Sequence, residues 1–204
     1  MAVNAEQNFR SKAPEYMGRL IADFQIMPED AAAIMGNLGH ESAGLTILQE
    51  IKPTVPGSKG GFGWAQWTGP RRRAFEAYCA RTGKDPASDE ANYAYLFLEL
   101  KGIEGTEKNA IPRLKAAEGL DAKVEAFEQA FLRAGVKHYP SRKQWARIAL
   151  DAWNKSSVTV PPATPSPPDG PAPQAEDAGG YARLVIILAV AIVVSAAIIF
   201  FNAR

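Results

Sequence analysis

PEDAAAIMGNLGHESAG, residues 28–44, opens as a helix should and ends on a carboxylate placed where the core should be. Pro28 suits a first helical position, and Glu29 and Asp30 fall in the first turn, where acidic side chains favour the helix dipole. Ile34 and Leu38 mark an apolar face, and Glu41 follows them at helical spacing on that same face. Burial and the negative end of the dipole both disfavour an ionised carboxylate there. A carboxyl that stays protonated near neutral pH is what a general acid needs to protonate a glycosidic oxygen. A frayed last turn, with Glu41 in solvent, is the competing reading.

The segment downstream bears on that choice. Residues 57–73 read GSKGGFGWAQWTGPRRR, a glycine-rich loop that delivers Trp64, Gln66 and Trp67 just ahead of a helix. Glycine lets backbone approach a ligand closely. Indole faces with an amide between them suit a sugar, which offers apolar C–H faces and hydroxyl edges. A turn whose tryptophans belong to the core explains the same residues.

Outward from these two stretches the chain reads as short helices. Pro14 opens one carrying Met17, Leu20, Ile21 and Phe24, and another runs from Pro70 to about Thr82 and stops at Gly83. A helix from Ser88 to Gly102 is apolar on most faces and is the candidate central helix. Asp121 caps a helix with Val124, Phe127 and Phe131 that ends at Gly135, and Ser141 caps the last, with Trp145, Ile148, Ala149 and Ala152 on one side. The only room for a small sheet is between Leu45 and Trp67. The fold class is therefore mainly α, with at most a small β-hairpin.

Composition narrows the function. The 204 residues are 47% hydrophobic and 22% charged, which excludes global disorder. A net charge of +1 gives no support for nucleic-acid binding through counterion release. A single cysteine, Cys79, excludes an internal disulfide, and with two histidines it excludes an ordinary structural zinc site. Cys79 sits on the apolar side of its helix and reads as a core thiol. His40 reads as a helix-surface residue, His138 as a loop residue, and Arg71, Arg72 and Arg73 as a solvated basic face.

The tail departs from the average. Leu184–Phe201 reads LVIILAVAIVVSAAIIFF, without a charge, bracketed by Arg183 and Arg204 and preceded by Tyr181. A helix of that length covers about 27 Å against a hydrocarbon core of roughly 30 Å. Three regions are expected: a body over 1–155, a Pro-rich disordered linker over 156–180, and a single membrane anchor over 181–204. Seven of the 15 prolines fall in the linker. No apolar stretch of signal-peptide length occurs at the start, so the lipid bilayer is expected to hold the chain by its tail.

GNLGHESAG, followed about twenty residues later by GFGWAQWTGPRR, resembles the phage tail lysozyme family. That family is a branch of the lysozyme-like superfamily, which also holds goose-type lysozymes and soluble lytic transglycosylases. Its Glu-Ser pair, which carries the catalytic glutamate, is matched by Glu41 and Ser42. Its later Gly-Leu-Met-Gln-like motif, which contributes to the glycan groove, is matched by Gly63, Trp64, Ala65 and Gln66. The run from Asn92 to Leu100 resembles the helix that follows, with Glu99 and Leu100 as its closing pair. The resemblance covers roughly Pro28 to Asp151. Trp64 replaces an aliphatic residue, Leu45-Thr46-Ile47 stands where Phe-Asn-Pro is common, and a late Ala-Tyr-Asn motif has no clean match, leaving Tyr95 and Tyr139 as candidates for its tyrosine.

The resemblance implies cleavage of the β-1,4 bond between N-acetylmuramic acid and N-acetylglucosamine in peptidoglycan glycan strands. Glu41 is the implied general acid, and Ser42, Gly63, Trp64, Gln66 and Trp67 are the expected substrate-binding residues. A muramidase needs a second carboxylate, for which Glu50 and Asp30 are available, whereas a lytic transglycosylase reuses the first. Neither route calls for a metal or a cofactor. A non-catalytic wall-binding or structural virion or membrane protein is the alternative. The expected setting is a virion or host membrane with the body facing the wall, at phage entry or lysis.

Overall fold

The structure is a computed structural model that describes residues 4–53 and 57–165. Helix α1 (Ala5–Phe24) is capped by the Asn4 side chain, which accepts from the N–H groups of Glu6 and Gln7 at 3.0 and 3.3 Å. It thus begins well before Pro14, which lies inside it. Phe9 and Ala13 extend the buried face of Met17, Leu20 and Phe24 by two turns, and packing of that face outweighs the local cost of the proline.

Helix α2 (Pro28–Glu41) begins at the expected proline, with the Asp30 carboxylate accepting from the Met27 N–H at 2.9 Å. Every residue from Asp30 to Gly39 is buried, because α1, α6 and α7 all pack against it. Helix α3 (Gly69–Thr82) closes on Gly83, and α4 (Asp89–Lys101) is capped by the Ser88 hydroxyl and closes on Gly102, as the turn residues indicate. Although α4 is buried on most faces, the helix with neighbours all round is α2.

The remaining elements are shorter than the hydrophobic pattern suggests. A 3₁₀ turn (Glu107–Asn109) leads into α5 (Ala110–Ala116), and α6 (Leu120–Phe127) runs into one π turn at Glu128–Leu132. Gly119, not Asp121, occupies the cap position of α6, and the chain leaves the π turn through Arg133 with φ of 55°. Helix α7 (Tyr139–Lys155) starts two residues before Ser141, with Pro140 in its first turn.

Between Leu45 and Trp67 the described residues form no strand, only two isolated antiparallel bridges, Gln49 to Phe62 and Phe62 to Trp67. Among the described residues no helix is long and apolar enough to cross a membrane. The expected anchor, Leu184–Phe201, lies outside the described residues, as does the expected linker beyond residue 165. The first part of that linker, residues 156–164, is extended and packs on α1. Thr164 donates its N–H and, at 2.9 Å, its hydroxyl to the buried Asp23 carboxylate, which also accepts from the Tyr93 hydroxyl at 2.6 Å.

One close approach decides the position of the site. A Cβ on Gly36 would lie 2.5 Å from the Ala146 N and Cβ, so only glycine lets α2 and α7 touch backbone to backbone. The two helices run antiparallel there. The N-terminal turn of α7 is thereby brought against the C-terminal turn of α2.

Candidate active site

Glu41 stands at that junction. Its side chain is 19% exposed, and its Oε1 accepts from Nη2 of Arg142 at 2.6 Å. The expectation of a lone inward carboxyl is thus corrected in one respect, because a guanidinium shares the position. Arg142 is 1% exposed in its side chain, donates Nη1 to Asn37 Oδ1 at 3.2 Å, and donates Nε to the Lys137 carbonyl at 2.7 Å. Asn37 in turn donates to the carbonyls of Ala33 and Val124, both at 3.0 Å, so its oxygen is left facing the arginine.

The backbone after Glu41 turns sharply. Ser42 is fully buried; its hydroxyl donates to the Leu38 carbonyl at 2.7 Å and accepts from the Leu45 N–H at 3.2 Å. Ser42 therefore closes the helix and the turn, with no polar atom exposed to a ligand. Ala43, Gly44 and Leu45 have φ of 46°, 69° and 63°, and the two non-glycines carry strain of order 1–3 kcal/mol each. The Ser42 carbonyl gathers the N–H groups of Thr46 and Ile47, both at 2.9 Å, which directs the chain toward the glycine-rich loop.

Gln66 meets that chain. Its amide donates to the carbonyls of Ile47, Leu48 and Gly63 at 3.3, 3.0 and 2.9 Å, tying the two loops together. Gly63 has φ of 78°, and a Cβ there would lie 2.6 Å from the Trp67 ring and from Asn92 Oδ1. The tryptophans are placed otherwise than a sugar platform requires. Trp64 is 0% exposed and packs edge-on against Tyr16, with Nε1 lacking a partner; Trp67 is 1% exposed and donates Nε1 to Glu99 at 2.7 Å. Both indoles belong to the core, so the loop surface, not the ring faces, is what solvent meets.

The basic cluster is also tied down. Arg71 donates to both oxygens of fully buried Glu99 at 2.8 Å, and burial pushes that carboxyl up against the pull of Arg71 and Trp67. Arg72 is buried on Glu76, Gln49 and the carbonyls of Lys59 and Gly60; Arg73 alone is exposed. Of the two spare carboxylates, Asp30 is paired with Lys123 at 2.6 Å. It sits at the far end of α2 from Glu41, about 16 Å along the axis. Glu50 accepts from the Gly61 N–H at 2.7 Å and so braces the glycine-rich loop.

His40 is half-buried, with Nδ1 2.9 Å from the Ser141 hydroxyl and its ring 5.4 Å from that of His138. Burial, then Arg142 and His138, pulls its pKa down to about 4, so it is neutral near pH 7. Ser141 therefore serves His40 and not the helix end. Tyr95 is buried against Trp67, whereas Tyr139 donates its hydroxyl to Glu128 at 3.1 Å.

A model of the phage tail lysozyme family matches residues 11–153. The chain belongs to the phage tail lysozyme family. No curated protein and no solved structure matches it. Family membership makes the chain a lysozyme-like, glycosidase-type protein directed at peptidoglycan. The part that matches phage tail lysozymes contains Glu41, the glycine-rich loop and Arg142, and it ends two residues before the close of α7.

Sequence reasoning did not single out Arg142, Asn37 or Ser141 as neighbours of Glu41. A signal for Arg142 existed: with Ala146 and Ala149 it forms a helically spaced set on the buried face of α7.

Proposed function

We propose that this chain cleaves the MurNAc-β-1,4-GlcNAc bond of peptidoglycan, with Glu41 as the general acid. The observation that carries the reading is a partly exposed carboxylate at the end of a helix buried from Asp30 to Gly39, beside the strained Ala43–Leu45 turn, inside the span matched by a lysozyme family. The protonated Glu41 carboxyl gives its proton to the bridging oxygen as the C1–O bond breaks, leaving positive charge on the muramoyl ring. Two completions follow. Water adds at C1, giving a reducing end, or the muramoyl 6-hydroxyl adds while the Glu41 carboxylate takes its proton, giving a 1,6-anhydro end.

The second completion needs no further carboxylate. It is supported by the engagement of Asp30 and Glu50 elsewhere. Ser42, Gly63, Trp64, Gln66 and Trp67 are proposed to build the groove wall, with Gln66 and the Gly63 turn nearest the glycan and Ser42 and the two indoles behind them. The apolar run at 184–201 is proposed as a membrane anchor on a phage-encoded, virion-associated protein whose body faces the wall. Mass spectrometry of muropeptides released by the full chain tests the chemistry. Reducing ends mean a muramidase, anhydro ends a transglycosylase, and no release from intact wall by folded protein supports the wall-binding alternative.

A further inference from the structure

We propose that Arg142 is the positioning residue for Glu41, an inference that rests on Glu41 being the acid. A surface ion pair is worth little and fixes nothing. This pair differs because two acceptors on two different segments hold the guanidinium before Glu41 is considered. The Lys137 carbonyl takes Nε, Asn37 takes Nη1, and only then does Nη2 meet Glu41 Oε1.

Each of those acceptors is itself held. Asn37 is locked by carbonyls of α2 and α6. The loop that offers the Lys137 carbonyl is fastened to Glu128, a fully buried carboxylate in the π turn. Glu128 accepts from the Ala134 N–H at 2.7 Å, the Lys137 ammonium at 3.1 Å and the Tyr139 hydroxyl at 3.1 Å. The π turn, otherwise an oddity at the end of α6, thereby sets the height of the loop and the aim of Nη2.

Glu41 needs such a partner. It is the last helical residue, its backbone leads directly into the strained turn, and its side chain has three freely rotating bonds. With Oε1 fixed by Arg142, Oε2 is the oxygen left to face the glycosidic bond. Lysine cannot replace the arginine, because an ammonium lacks the planar fork that reaches three separated acceptors.

The test uses the full chain as Arg142→Lys, Arg142→Ala and Glu41→Gln, with thermal unfolding and with kcat and KM measured on purified peptidoglycan. Arg142→Lys is expected to keep the fold and KM and to lose about a hundredfold in kcat, the scale of a misplaced catalytic group. Arg142→Ala should regain part of its kcat on addition of low-millimolar guanidinium, and Glu41→Gln should not. Wild-type kcat in folded Arg142→Lys, or a loss that only tracks the folded fraction and is not rescued, overturns the proposal while leaving Glu41 as the acid. An active Glu41→Gln removes the parent reading instead. Should Arg142→Ala fail to fold, the kcat of Arg142→Lys decides alone.

Discussion

Arg142 Nη2 lies 2.6 Å from Glu41 Oε1, although 101 residues separate the two in the chain. The contact exists because Gly36 lets α7 descend onto α2 at Ala146, one helical turn beyond the arginine. Site and core are therefore built by the same contact.

Gly36 should not tolerate a side chain. In Gly36→Ala the new methyl would meet Ala146 backbone at 2.5 Å, and the helices must separate. Overpacking of this kind costs about 1–3 kcal/mol. Thermal unfolding should show the loss, and muralytic activity should fall with it because Arg142 moves away from Glu41.

Arg71→Met should be more damaging than any substitution of exposed Arg73. It strands the fully buried Glu99 carboxylate beside Trp67. Removing one partner of a buried pair costs about 3–5 kcal/mol. Urea unfolding of the two variants gives the comparison; equal midpoints would show that Glu99 finds other compensation.

Helices α2, α3 and α4 were legible because their ends are written locally, in Pro28, Gly83, Ser88 and Gly102. The start of α1 was obscured by Pro14, a residue that favours a first turn but is outweighed here by Phe9, Ala13 and the Asn4 cap. Glu41 was legible from its phase relative to Ile34 and Leu38. Its arginine was not, since a partner on another helix leaves no local periodicity at Glu41 itself. Trp64 and Trp67 show the limit from the other side: aromatic residues in a glycine-rich loop suit a sugar and a core equally, and burial by Tyr16, Tyr95 and Phe75 decides which.

His40 gives a pH dependence of stability with a definite sign. Its folded pKa of about 4 lies below the usual histidine value near 6.5, so the unfolded chain takes up the proton first. Stability should be constant above pH about 6.5 and fall as the pH drops from there toward 4. Solvent reaching the half-exposed ring weakens the effect. Tm measured across that window should decline in the wild type and flatten in His40→Gln; parallel curves would show that other groups carry the slope.

Residues 156–164 should contribute to the body. A chain ending at Lys155 loses the Thr164 bonds to Asp23 and the contacts of Val158 and Pro161 with α1. Relative to a chain ending at Thr164, the expected loss is about 1–2 kcal/mol, or roughly 2–8 °C in Tm. Identical melting temperatures would place the boundary at Lys155.

Muropeptide release by wild type and Glu41→Gln, compared at equal folded concentration, tests the central claim most directly. The side chains are isosteric, and the amide cannot donate the proton that the reaction requires. The expected result is release by the wild type and a loss of about 10²–10⁴-fold in Glu41→Gln with wall binding retained. Release at the wild-type rate by Glu41→Gln would contradict the assignment of Glu41 as the acid.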